Sequence, residues 1–123
     1  MTLNEYQQQA MTTCLPTCDN FAYMMLNLMG ELGEFAGKLA KDVRKDKAVV
    51  NNNRLLLSLT ISNEDLQKEA GDILWQLSGL CHVMGWDLED IAQQNLDKLA
   101  ARKAAGTING SGDGISGNDR TAE

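Results

Sequence analysis

The segment Phe21–Lys45, FAYMMLNLMGELGEFAGKLAKDVRK, carries the strongest helical pattern in the chain. Within it Phe21, Met25, Leu28, Leu32, Phe35, Leu39 and Val43 recur at three- and four-residue steps. That is the spacing of an amphipathic helix, and Asp19 or Asn20 stands at its start as N-cap. A stripe of this kind must be covered by other helices. Toward the N-terminus, Leu3–Thr13 predicts a polar helix with Leu3, Tyr6, Ala10 and Met11 on its apolar side, ended by the only proline, Pro16. Toward the C-terminus a basic run leads to Asn51, Asn52 and Asn53 and then to Leu55, Leu56, Leu57 and Leu59. That short apolar stretch suits a strand or a helical turn equally, and it reads as an insertion between two principal helices.

Ser62, with Asp65 three residues on, announces a third helix running to His82 or beyond, with Leu66, Ala70, Ile73, Leu77, Leu80 and Met84 as its stripe. Gly85 suits the left-handed position that follows a helix. Asp87 caps a fourth helix ending near Ala105, with Trp86 and Ile91 placed for a hydrophobic staple. From Gly106 the composition turns to Gly, Ser, Asn and Asp, too poor in apolar surface to fold alone. The expected fold is all-α: a bundle of four main helices, an irregular insertion over residues 46–61, and a Gly-rich tail. Residues 1–105 form the helical domain and 106–123 the tail. At 123 residues one core is expected, modest enough that a homodimer or a dimer of dimers would cover its remaining apolar flanks.

A formal net charge of -6 opposes adhesion to nucleic acid polymers or an anionic membrane, and an acidic chain that handles polyphosphate needs a cation as mediator. No apolar run approaches the roughly 20 residues of a membrane span, and no basic segment precedes an apolar signal core, so a cytoplasmic protein is expected. The three cysteines, Cys14, Cys18 and Cys81, follow no disulfide spacing and read as buried free thiols. A zinc site from them and His82 would need the adjacent Cys81 and His82 to serve as a ligand pair, an awkward arrangement for a tetrahedral ion.

The second and third helices share one feature. At about 100° per residue, Glu34 lies about 60° from Glu31, and Asp72 stands at the same offset from Glu69. Each pair borders the face its helix must bury. Two such pairs brought together repel unless cations neutralise them, and an all-oxygen ligand set selects magnesium, manganese or calcium. Taken singly, an acidic pair at i and i+3 is commonplace on a solvated helix; the matching offsets on two helices favour a metal site. Crowding also predicts that removing one of these charges, as in Glu69→Gln, stabilises the metal-free protein. Lys38 stands one turn beyond Glu34, within reach of a phosphate or of Glu34 itself. On the fourth helix Asn95 interrupts the line Leu88, Ile91, Leu99, Arg102, and a buried amide there needs a partner.

Gly30-Glu31-Leu32-Gly33-Glu34-Phe35, then Glu69-Ala70-Gly71-Asp72-Ile73-Leu74-Trp75, then Asn95-Leu96-Asp97-Lys98-Leu99 with Arg102, resemble in order the E-x-x-E, E-x-x-D and N-x-x-K elements of the MazG-like all-α nucleoside triphosphate pyrophosphohydrolases. The resemblance covers most of residues 2–113 and departs where Gly30 replaces a further glutamate found in many members. It implies that Glu31, Glu34, Glu69 and Asp72 hold Mg2+, with Mn2+ as a substitute. It also implies that Lys38, Asn95, Lys98 and Arg102 bind the phosphates or sugar of a nucleoside or deoxynucleoside triphosphate, which is cleaved to the monophosphate and pyrophosphate. Glu31 and Glu34 are the first candidates for the catalytic base. Gly110-Ser111-Gly112-Asp113 resembles a glycine-rich ending of small relatives, where an arginine soon follows; here Gly114 to Gly117 separate Asp113 from Asn118-Asp119-Arg120.

Two rivals stand beside this reading. A di-iron bundle requires Glu-x-x-His pairs, and the only histidine, His82, has Gly79 three positions before it. A non-catalytic helical interaction protein, binding a structural divalent ion through the same carboxylates, is separated by an assay for pyrophosphate release. Trp75, off its helix's stripe, is placed either to stack on a base or to meet a second subunit.

Overall fold

The computed structural model describes residues 1–46, 49–51, 54–56 and 63–108. Four helices carry the chain: α1 (Leu3–Met11), α2 (Phe21–Arg44), α3 (Asn63–Val83) and α4 (Leu88–Ala105). A 3-10 turn at Pro16–Cys18 links the first two. The fold is all-α, as the periodicity predicts. The proposed cap Ser62, Leu57 and Leu59, and the tail from 109 onward with Arg120 fall outside the described residues. What is described of the insertion is a small antiparallel ladder, β1 (Val49–Asn51) with β2 (Arg54–Leu56), in which Val50 faces Leu55. The chain divides into two compact units, Met1–Asp87 and Leu88–Glu123.

Local chemistry sets the helix ends. Thr2 and Glu5 form a full capping box: the Glu5 amide donates to Thr2 Oγ1 at 3.0 Å and the Thr2 amide to Glu5 Oε1 at 3.2 Å. Asn20, rather than Asp19, caps α2 by accepting the Tyr23 amide at 2.8 Å. Past α3, Gly85 takes φ +74, and the Trp86 amide reaches back to the Cys81 carbonyl at 2.8 Å. This closure needs a residue without a Cβ at the left-handed position.

In the first unit α3 lies between α1 and α2, which both pack on it. The α2–α3 contact is tight at Gly79, where an added Cβ would collide with Sδ of the fully buried Met24. On the other side Gln7, also buried, donates through Nε2 to the Trp86 carbonyl at 3.0 Å and the Ser78 carbonyl at 3.4 Å. Trp75 belongs to this contact too. Its indole N–H donates to the Ala10 carbonyl at 3.1 Å and to Thr13 Oγ1 at 3.0 Å, so it pins α1 to α3.

The buried faces are turned from the expected stripes. On α2, Met24 and Asp42 are buried and Met25, Leu28, Phe35 and Leu39 of the expected stripe are half-buried, while its Phe21, Leu32 and Val43 are exposed. The physical reason is that α2 is apolar on two sides. Leu26, Met29, Gly33, Ala36 and Ala40 form a second line, and the average of two lines points between them. On α3, flanked on two sides, Leu66 of the expected stripe is buried and Ile73 and Leu80 are half-buried, but Gln76, Ser78 and Cys81 are buried as well, whereas Leu77 and Met84 keep more than a third of their surface exposed. Asn95 on α4 is exposed, so the expected burial of its amide is corrected.

Candidate metal centre

Glu31 lies one helical turn beyond Asn27 on α2, and Glu69 and Asp72 lie in the first half of α3. Because Met24 seats against Gly79, the carboxylate flanks of the two helices meet along the same seam. One carboxylate oxygen from each of Glu31, Glu69 and Asp72 comes within 4.8 Å of the others. Glu31 and Glu69 are half-buried and Asp72 is exposed, so the group opens to solvent at one side. Glu34, expected as a fourth member, stands outside this group on the exposed side of the next turn, yet its charge still acts on Glu31.

The electrostatics record the crowding. Burial pushes the Glu31 carboxyl above the usual carboxylate range, and the charges of Glu34, Asp72 and Glu69 push it further, against the opposing hydrogen bond from Asn27. Burial and then the Asp72 charge hold the Tyr6 phenol above its ordinary value. Tyr23 is raised by burial, then by Cys18, with a smaller contribution from Glu31.

Lys38 supplies the positive charge. Its Nζ pairs with Glu69 Oε1 across the α2–α3 seam, rather than with Glu34 on its own helix. Asn27 and Gln76 are the residues that sequence reasoning missed. Asn27 Nδ2 donates to Gln76 Oε1 at 2.6 Å and to Glu31 Oε1 at 3.4 Å, while Gln76 Nε2 reaches the Met24 carbonyl at 3.5 Å. This partly buried amide chain anchors Glu31 to both helices. Asn27 at i−4 from Glu31 was the available signal; the cross-helix partner had none.

Asn95, Lys98 and Arg102 share one side of α4, in the second unit. The three cysteines are free thiols; Cys81 is buried, whereas Cys14 and Cys18 are only half-buried. His82 meets Asp19 at 3.4 Å, and among the described residues the acidic trio is the only group assembled like a metal site. A cleft of about 550 Å3 between α1 and the end of α3, lined by Asn4, Gln8, Met11, His82, Trp86 and Asp87 among others, is separate from the carboxylates. Asp72 and His82 stand ten residues apart on α3, about 15 Å along its axis.

The donor set is all oxygen and negatively charged, which fits a hard divalent cation, and the Lys38 ammonium already occupies the role of a cation against Glu69. Among the described residues no helix is long and apolar enough to cross a membrane. No solved structure matches the chain. The Gene 37 protein of Mycobacterium phage L5 is 38% identical over 100 residues, covering 78% of this chain and 80% of that protein. The MazG nucleotide pyrophosphohydrolase domain matches residues 20–106, the span that runs from the cap of α2 through the trio to the end of α4. The chain belongs to the MazG nucleotide pyrophosphohydrolase family.

Proposed function

We propose that the protein hydrolyses a nucleoside or deoxynucleoside triphosphate at the α-phosphorus, giving the monophosphate and pyrophosphate, with magnesium or manganese as cofactor. The observation that carries this reading is the meeting of Glu31, Glu69 and Asp72 within 4.8 Å at an opening to solvent, in a family of nucleotide pyrophosphohydrolases. These three carboxylates hold the cation, with Glu34 as the fourth. Bound there, a divalent cation neutralises phosphate oxygens and lowers the pKa of water. Asn27 orients Glu31 toward the cation through the bond to its Oε1. Glu34, exposed and outside the trio, accepts the proton of the attacking water, a role that demands a carboxylate not wholly spent on the metal. Lys38, Asn95, Lys98 and Arg102 bind the phosphates and sugar. The protein works in the cytoplasm as a homodimer or a dimer of dimers.

A panel of nucleoside triphosphates, assayed with and without magnesium and with products identified, tests the proposal. Release of pyrophosphate and monophosphate from at least one of them, abolished by excess chelator, is the expected result. Equal turnover in chelator overturns the metal's role, and no turnover of any triphosphate favours a helical interaction protein that binds a structural ion.

A further inference from the structure

Lys38 and Glu69 differ in how much they depend on each other. The Glu69 side chain retains 12% of its surface and the Lys38 side chain 45%. A carboxylate this far removed from water is costly without a counter-charge, whereas the ammonium, on a long stem open to solvent, loses little by leaving. Glu69 also lies within 4.8 Å of the Glu31 and Asp72 oxygens, so Lys38 balances one of three adjacent negative charges. The pair spans 31 residues of sequence and joins α2 to α3 at the mouth of the trio.

We propose that Lys38 is a displaceable internal counter-ion: its ammonium holds Glu69 and the trio together in the metal-free protein, yields Glu69 to the divalent cation, and is then free to meet the phosphates. The proposal rests on the reading that the carboxylates hold a metal. Metal and lysine compete for the same carboxylate, so metal affinity is set below what the carboxylates alone would give. The same competition keeps the empty site from collapsing apart under its own repulsion.

The test is calorimetric titration of the full chain with magnesium or manganese chloride alone, without nucleotide, beside thermal melting of the metal-free and metal-loaded protein. Lys38→Met is expected to tighten metal binding roughly two- to five-fold, the range set by a partly exposed ion pair that no longer has to be broken. Its metal-free form should melt below the parent and its metal-loaded form with the parent. Lys41→Met removes the same charge one turn along the exposed surface of α2 and controls for net charge. Lys38→Arg keeps the counter-charge and should bind metal as the parent does. If Lys38→Met binds metal no more tightly than the parent or Lys41→Met, the counter-ion role is overturned while the metal site stands. If the parent takes up no metal, both fall together. Should Lys38→Met fail to fold, the side-chain carbon resonances of Lys38 in the labelled parent decide: they are expected to sharpen on adding magnesium, and an unchanged signal overturns the proposal.

Discussion

At the scale of single residues, the carboxylates of the trio are not equivalent. Crowding alone predicts that relieving any of their charges stabilises the metal-free protein, and Glu69 is the case put forward from sequence. The geometry moves that expectation to Glu31. Glu69 has Lys38 as a counter-charge, whereas Glu31 has a neutral amide, Asn27, and faces Glu34 on its own helix and Glu69 and Asp72 on α3. Because the folded Glu31 carboxyl titrates above its ordinary value, the native state binds its proton more tightly than the unfolded chain does. Its contribution to stability is full below the unfolded pKa and is lost as pH rises through the folded one. Metal-free protein is therefore expected to lose melting temperature as pH climbs from the ordinary carboxylate range to just above it. Glu31→Gln should flatten that loss and raise metal-free stability at neutral pH, while Glu69→Gln should not. Both should lose most turnover and most of the melting shift that magnesium supplies. Melting curves against pH, with and without magnesium, check the contrast; a Glu31→Gln profile that follows the parent would refute it.

At the scale of elements, the α2–α3 seam is set by one large and one absent side chain. Met24 is fully buried and its thioether occupies the space a Cβ at Gly79 would need. Met24→Ala is expected to cost about 2–5 kcal/mol, as large-to-small changes in cores do. Gly79→Ala should destabilise the parent, because the thioether must shift in a packed site and overpacking costs about 1–3 kcal/mol. On the Met24→Ala background the same change meets no thioether, and the helical preference for alanine over glycine, about 1 kcal/mol, should make it stabilising. A reversal of sign in urea unfolding is the outcome to look for. Seam and site are coupled: Gln76 donates to the Met24 carbonyl and accepts from Asn27, which donates to Glu31. A loosened seam should therefore weaken metal binding as well.

At the scale of the whole molecule, the side of α2 turned from α3 is apolar and uncovered, with Leu26 70% and Met29 65% exposed in line with Ala22, Gly33, Ala36 and Ala40. Apolar patches of this kind mark association surfaces, and small residues along the line permit close approach. Light scattering of the parent is expected to give the mass of a dimer or of a dimer of dimers. Leu26→Glu with Met29→Glu should shift it toward the 13.5 kDa chain, with helicity retained. A parent that scatters as a monomer at every concentration would remove the expectation.

Read without the structure, the chain yields the all-α class and four helices with boundaries within about two residues, and it names Glu31, Glu69 and Asp72 among four carboxylates without separating Glu34 from them. These follow from local rules: helical periodicity, the Asn20 cap, the left-handed glycine at 85, and i, i+3 spacing on a helix of known pitch. Tertiary packing chose which side of α2 is buried. A helix apolar on two sides has no local preference between them, and the choice fell to the fit of Met24 against Gly79. It also decided that Glu34 stands outside the trio, that Trp75 is spent on α1, and that Asn27 is tied to Gln76. The pairing of Lys38 with Glu69 rather than Glu34 belongs to the same class. Each is a contact between residues distant in the chain, and a side chain's partner across a seam depends on the rotation of both helices, which no single helix's sequence encodes.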